Sequence, residues 1–582
     1  MKKQGDVHVM LKTLRNRLFV VGYLLLGTAI ASSPLYAEGW FVSHDIAPHL
    51  QRIFAVSHEI RLGDYYPRWL ALALYGKGLP DLNFYSPAFY LLVSWLHVIG
   101  IPLAVALKLF CFALSLMGAG GVYLWVKKYS DTSGALLSAS LYLFLPYRFL
   151  DIFVRGAIPE FAALSLLPWL FYAMDLSFTQ KGRYRGIGLA ALASAALVLT
   201  HHLSALIIMP FAAVYFAWHA FTSRKEPRAI LWSALGPAAG AGLSAFYWLP
   251  VVFEMRHLSY FESPVNIFDH FVYPSQWFAS QWDFGLSVPG PGDGMSFQVG
   301  YALLGVTAAG VFSLGWLPSQ IRRFGLVLLV LGSFGLFMTT EYASFLYEVV
   351  YPLQLIQFPW RFLGPATLFF VVFAGLITAN ALVGIRAWCR WGLLVLVLVI
   401  SISLSSEHRA VKLQEAIDLD VLEAETVRLN QVGGWGMARE FMPKWANFDP
   451  NGFVSSPLWI APRHFAERIS ELAVKGSRMQ FRIDAESQAQ VIIPWYYFPG
   501  WRAQAGAVSI PVVPDANGFV SFALPPGAYQ VSVWFGSTWP RIIGWIVAAV
   551  TMLALLVANV CRKRYVLQRI ASQEVLDFEM SK

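Results

Sequence analysis

The 582 residues are 57% hydrophobic and 13% charged, with a formal net charge of +9 and a mean hydropathy of +0.55. A soluble chain of this size carries about a quarter of its residues as charges, so these values describe a polytopic membrane protein. They do not describe a nucleic-acid binder, because the basic residues fall in short clusters between apolar runs. Cys111, Cys389 and Cys561 lie in or beside those runs without ligand or redox spacing, which excludes a disulfide framework or a zinc site.

A basic start leads into the first apolar run, residues 18–37, whose ending Pro34-Leu35-Tyr36-Ala37 mimics a signal peptide. A retained first span is the expectation, since the loop after it depends on it for anchoring; cleaved or not, it leaves Asp45 outside. Further runs long enough to span occur near 103–126, 134–150, 158–176, 186–200, 203–221, 229–253, 298–316, 324–340, 362–384, 388–404 and 540–560. Between them lie Lys127-Lys128, Lys181/Arg183/Arg185, Arg224-Lys225/Arg228, Arg322-Arg323, Arg386/Arg390 and Arg562-Lys563-Arg564. Placing these six clusters in the cytoplasm is self-consistent only if Phe84–Gly100, also apolar, does not cross. That stretch is therefore predicted to be an outer juxtamembrane or re-entrant helix, leaving about twelve spans and both termini cytoplasmic.

Residues 1–404 thus form a membrane module with outer loops 38–102 and 254–297. Residues 405–538 form an outer domain, and 539–582 the last span and a basic cytoplasmic tail. The outer domain opens with a charged, helical-looking stretch, Leu413–Leu429. Short alternating runs come next at Met479–Ile483, Gln490–Trp495, Val508–Val513, Phe519–Leu524 and Tyr529–Phe535. Pro499-Gly500, Asn517-Gly518 and Pro525-Pro526-Gly527 punctuate them, which predicts a small β-sandwich.

On this topology Asp45, Arg155, Glu160, His201, His202, Glu254 and Arg361 gather at the outer face, where ionisable groups at the bilayer are costly and usually functional. Asp45, in Val42-Ser43-His44-Asp45-Ile46, has the chemistry of a general base, or is a solvated loop acid. Glu160 sits in the first turn of a span and must pair, with Arg155 the obvious partner; the pair either locks the turn or meets substrate. His201 and His202 point in different directions on a helix, so one lines the site while the other caps or packs. Arg361, between aromatic residues in Phe358-Pro359-Trp360-Arg361-Phe362, suits a lipid-linked phosphate or anchors the helix at the interface. No nucleotide-binding glycine motif, zinc-protease helix or serine elbow stands in a suitable context.

With Gly63-Asp64-Tyr65-Tyr66-Pro67-Arg68-Trp69 and Asn83-Phe84-Tyr85-Ser86-Pro87 after the acid of the first outer loop, the chain resembles GT-C-type membrane glycosyltransferases. It is more closely similar to the YfhO-like bacterial membrane proteins and to those described as 6-pyruvoyl-tetrahydropterin synthase-related. The motifs are Ser43-His44-Asp45, Arg155-Gly156 to Glu160, Thr200-His201-His202, Tyr247-Trp248-Leu249-Pro250 to Glu254, Phe358-Pro359-Trp360-Arg361 and Phe498-Pro499-Gly500-Trp501. Pterin synthase chemistry itself needs a soluble fold and a His-rich zinc site, neither of which is visible here.

The GT-C resemblance implies an inverting glycosyltransferase of the bacterial cytoplasmic membrane with an extracytoplasmic active site. A sugar would move from a polyprenyl-phosphate carrier to a glycan, lipid or protein acceptor. Asp45 would be the base, and His44, Arg155, Glu160, His201, His202, Glu254 and Arg361 the substrate-binding set. No tight Asp-x-Asp or Glu-x-Asp pair surrounds Asp45, so no cofactor is expected and a divalent metal is not supported. The rival functions are a transporter or flippase of a lipid-linked or envelope component, and a non-catalytic glycan-assembly protein.

Overall fold

The computed structural model describes residues 2–38, 40–41, 43–224, 226–259, 265–409, 441–447, 459–461 and 469–580. The predicted helix Leu413–Leu429 lies outside them. Helices occupy all twelve predicted span positions. Seven are long and apolar enough to cross a bilayer, and the bent pairs Thr132–Leu143 with Pro146–Arg155 and Pro227–Leu243 with Ala245–His257 raise the number to nine. The other three, Ile158–Ser177, Arg183–Thr200 and Tyr301–Ser313, are packed into the same bundle.

The segment Pro359–Ala381 is 94% buried and forms the centre, whereas Trp539–Arg564 is 11% buried and presents its apolar side chains outward. That contrast is expected where lipid covers the outer surface. Close approach inside the bundle rests on small residues. Gly236 and Gly240 of Pro227–Leu243 leave no room for a Cβ against Ala190 and Ser194, and Gly375 leaves none against Ser138.

The basic clusters meet at one end. Lys128 Nζ is 3.9 Å from Asp175, which also pairs with His219 at 2.8 Å, and Arg183 lies 3.6 Å from Glu226. Arg390 pairs with Asp131 at 2.8 Å, the Phe324 ring packs 4.7 Å from that of Tyr129, and Arg562 sits over the Tyr184 ring. Helix Arg183–Thr200 leads from this end to His201, a distance of about 27 Å at 1.5 Å per residue. Phe84–Gly100 contains only the 11-residue helix Ala88–Val98, too short to span, packed on helix Ile46–Arg61.

At the other end two antiparallel sheets form the β-domain. One has the order β1 (Trp459–Ala461), β4 (Ala489–Tyr496), β8 (Phe519–Leu524), β7 (Val513–Pro514). The second has the order β2 (Ile469–Lys475), β3 (Arg478–Ala485), β9 (Gly527–Phe535), β5 (Trp501–Ala505), β6 (Val508–Ile510). The predicted run Val508–Val513 is two strands, because Pro511 lacks the N–H to continue a ladder and the chain changes sheet there. The domain docks on the first outer loop through Trp501, whose ring lies 5.0 Å from Trp69, and through Tyr496 N, which donates to Lys77 O at 2.8 Å.

Glu59 lies under the β2–β3 turn, so close that a Cβ on Gly476 would collide with its carboxyl. Burial lifts its pKa from the ordinary 4.5 to about 8; the Ala71 N–H at 3.3 Å offsets only part of this, and Asp64 adds to it. The fold therefore keeps the Glu59 proton up to about pH 8, whereas the unfolded chain releases it near pH 4.5. The resulting stability is complete below pH 4.5 and is lost as pH rises to about 8, by at most about 1.4 kcal/mol per pH unit. Glu59→Gln is expected to flatten that decline, with a higher melting temperature than wild type at pH 8 and little difference at pH 4.5.

Candidate active site opposite the basic end of the bundle

The site begins with an irregular turn. Leu150–Arg155 is a π-helical turn, a form concentrated at functional sites, and it ends at Gly156 with φ +65°. The first outer loop is pinned to it: His44 N donates to Val154 O at 3.0 Å and Asp45 N to Arg155 O at 2.7 Å. A Cβ at Gly156 would strike Ser43. Glycine is thus required twice, for the left-handed backbone and for the close approach. Gly156→Ala is expected to cost about 1–2 kcal/mol for the left-handed conformation alone and to displace Asp45, seen as lost turnover with the helical circular-dichroism signal unchanged.

Asp45 is the N-cap residue of helix Ile46–Arg61, but its carboxylate makes no capping hydrogen bond. It is half-buried and lines a cavity of ≈430 Å³ together with His49, Arg52, Tyr85, His201, His202, Gln357 and Arg361. The remaining wall is apolar, with Leu203, Leu206, Val251, Met255, Leu258 and Leu355 contributed by the ends of two spans and the 355–361 turn. Four of the eight predicted site residues therefore share one chamber.

Arg361 is 7% exposed and held from behind. Its Nη1 donates to Ile356 O at 2.8 Å and to Gln357 Oε1 at 3.3 Å, and its Nε stands 3.2 Å from Glu160 Oε2. Gln357 is a non-glycine residue at φ +68°, a strained conformation of the kind that clusters at ligand sites. Glu160 also accepts from Tyr147 Oη at 2.7 Å and from Arg155 Nη1 at 3.0 Å. Arg155 in turn bonds Asp151 and lies over the Trp360 ring, 4.3 Å from its centroid. Arg155 and Glu160 thus stand behind the cavity wall as a buried network that orients Arg361.

His201 Nδ1 accepts from Ser204 N at 3.3 Å, which puts the proton of a neutral ring on Nε2. His202 Nδ1 lies 3.1 Å from Ser86 Oγ and 3.0 Å from Tyr247 Oη. His44 and Glu254 lie away from the cavity. His44 Nε2 is 3.0 Å from Phe284 O in the second outer loop. Glu254 binds Arg541 Nη2 at 2.8 Å, Asn83 Nδ2 at 2.7 Å and Thr538 Oγ1. Its place is a clamp between the first outer loop and the start of the last span. The sequence predicts substrate contact for both residues; in the structure both Glu254 oxygens and the His44 Nε2 lie against protein partners.

His49, Arg52, Tyr85 and Gln357 are cavity residues not among the predicted set. Asp45, His49 and Arg52 follow i, i+4, i+7 spacing, the signature of one helix face, so two of them were findable from the spacing. His49 Nδ1 is 2.7 Å from Tyr90 Oη, and burial beside the Arg52 and Arg155 cations holds its pKa well below the usual histidine range. Among the described residues no three His, Cys, Asp or Glu side chains are placed to hold a metal ion.

Solved structures with chains similar to this one include two of a mycobacterial arabinofuranosyltransferase. An arabinofuranosyltransferase from Mycobacteria, AftD, is 14% identical at a TM-score of 0.43, covering 68% of this chain and 27% of its own. A mutant of AftD is 15% identical at a TM-score of 0.39, covering 67% and 27%. The chain thus spans about a quarter of the length of either structure. No curated protein matches. The model of the 6-pyruvoyl-tetrahydropterin synthase related domain, described as a membrane protein, matches residues 82–411, more than half of the chain. The chain belongs to this family of membrane proteins.

Proposed function

We propose that the protein is an inverting glycosyltransferase that moves a sugar from a polyprenyl-phosphate carrier to an extracytoplasmic glycan, lipid or protein acceptor. The observation that carries this reading is one chamber lined both by a carboxylate free of capping duty and by a braced guanidinium, with much of its wall apolar. The apolar half suits an isoprenoid chain and the polar half a sugar phosphate. Asp45 takes the proton of the acceptor hydroxyl as its oxygen bonds to the anomeric carbon. The anomeric carbon–phosphate oxygen bond breaks from the opposite face, and the phosphate leaves with the electron pair. Arg361 stabilises the charge that develops on it, a kind of contribution worth about 3–4 kcal/mol per key donor.

Mass analysis of envelope glycans and lipid-linked sugars, with and without the gene, tests the assignment. Loss of one glycosyl unit with accumulation of its carrier-linked precursor supports it, whereas an unchanged glycan profile refutes it.

On this reading the site lies outside the bacterial cytoplasmic membrane with both termini inside, and the basic loops at the opposite end from the cavity support it. Cysteines introduced within 469–535 should react with an impermeant thiol reagent added to intact cells, and those at 181–185 should not. The reverse pattern would put the chamber in the cytoplasm and exclude a carrier sugar exposed outside.

A further inference from the structure

Arg52 takes no part in the proposed transfer step, yet it lines the same cavity from the face of helix Ile46–Arg61 that carries Asp45. Seven residues separate the two, about 10 Å along the helix. The side chain is 2% exposed. Its Nε donates to Asp81 Oδ2 at 2.9 Å, and its guanidinium lies 4.4 Å from the Tyr85 ring centroid. Its Nη2 is buried and has no hydrogen-bond acceptor among the described residues. A buried charged donor left without an acceptor calls for an explanation, and this one belongs to a residue that borders a cavity a ligand can enter. Arg361 Nε is likewise buried without a hydrogen-bond acceptor, but it stands 3.2 Å from the Glu160 carboxylate.

We propose that Arg52, braced by Asp81 and Tyr85, is a second oxyanion-binding residue of the cavity, so that a substrate carries a second acid group besides the phosphate at Arg361. This rests on the transferase reading of the site. A planar guanidinium with one edge fixed and one N–H group free fits a carboxylate or phosphate oxygen. Such an oxygen has two sources: the second phosphate of a diphosphate carrier, or an acid on the acceptor.

The test uses the purified full-length protein in detergent, with binding followed by calorimetry. Farnesyl phosphate is compared with farnesyl diphosphate, and glucuronate with glucose in the presence of saturating farnesyl phosphate. Wild type is expected to gain at least tenfold in affinity in one arm, the diphosphate arm if the carrier supplies the oxyanion and the glucuronate arm if the acceptor does. Arg52→Lys keeps the charge beside Asp81 but lacks the fork, and should cut that gain below threefold while farnesyl phosphate binds as before. The double variant Arg52→Gln/Asp81→Asn removes both buried charges together and should do the same, which separates ligand binding from misfolding. A gain that survives in both variants, or no gain in wild type, overturns the proposal. If farnesyl phosphate fails to bind wild type, the carrier-phosphate reading fails and this proposal falls with it; if it binds and Arg52 is indifferent, only this proposal fails.

Discussion

Asp45→Asn is expected to fold, to bind a lipid carrier phosphate as wild type does, and to lose about 10²–10⁴-fold in turnover. A sugar hydroxyl ionises far above neutral pH, and a positioned carboxylate gains a factor of that order by taking its proton as the new bond forms. The amide has the same shape but cannot accept the proton. The geometry protects the fold from the change, because the Asp45 side chain caps nothing and the loop is pinned through the main-chain bonds to Val154 and Arg155. The measurement is transfer from a polyprenyl-phosphate sugar by both proteins in detergent. Comparable turnover would remove Asp45 as the base, and His49 would then be the candidate to examine. His49 lines the same wall one turn further on; burial beside the Arg52 and Arg155 cations keeps its ring neutral while lowering its basicity. Glu160 is a poor substitute, since Tyr147, Arg155 and Arg361 already surround its oxygens.

The chamber is assembled by elements far apart in sequence, and each is fixed by a different device. A π-helical turn closed by Gly156 seats the Asp45 loop, and a histidine N-cap starts the helix that carries His202. A strained residue, Gln357, precedes Arg361. Glu254 then ties the first outer loop to the last span through Asn83 and Arg541, so the β-domain is bound to the membrane module at both the Trp69–Trp501 contact and its own exit. The ionisable residues gathered at this end of the bundle accordingly divide into a cavity set and a bracing set. Charge and position alone do not distinguish the two, because both need burial and both stand at helix ends.

Length and hydropathy made the span positions legible, since each apolar run is bounded by charge or proline and the bilayer sets its length. The basic clusters pointed to a Phe84–Gly100 that does not cross, and its helix Ala88–Val98 is indeed too short to span. Three things were not legible. The edge strand β2, Ile-Ser-Glu-Leu-Ala-Val-Lys, is exposed along nearly all its length and so carries no inside–outside alternation. The π-turn at Leu150–Arg155 looks like the end of an ordinary apolar helix, because its bulge depends on the packing of the Asp45 loop. The bracing of Arg52 was hidden, although its place on the Asp45 helix face was not: its partner Asp81 is 29 residues away, and only the folded loop brings them together.

Arg361→Lys is expected to weaken binding of a polyprenyl phosphate by at least tenfold and to lower turnover with it, although the charge is kept. The guanidinium reaches Ile356 O, Gln357 and Glu160 at once, from two of its nitrogens. An ammonium is a single point of charge and cannot hold the 356–357 turn and Glu160 while also offering a planar edge to phosphate. Hydrogen bonds to charged groups are worth about 1.5–3 kcal/mol each, so losing one on the ligand suffices for the tenfold change. Two readouts separate ligand contact from bracing. If Arg361 contacts the phosphate, farnesyl phosphate affinity falls while the melting temperature moves by no more than a few degrees. If it only anchors the helix, the melting temperature falls and the affinity of the folded fraction stays at the wild-type value. Glu160→Gln supplies the complementary case. It leaves Arg155 and Arg361 facing one another without their shared carboxylate, a loss of the buried-pair type that costs about 3–5 kcal/mol. Its principal effect should therefore be on stability, with carrier binding reduced only as far as Arg361 is displaced.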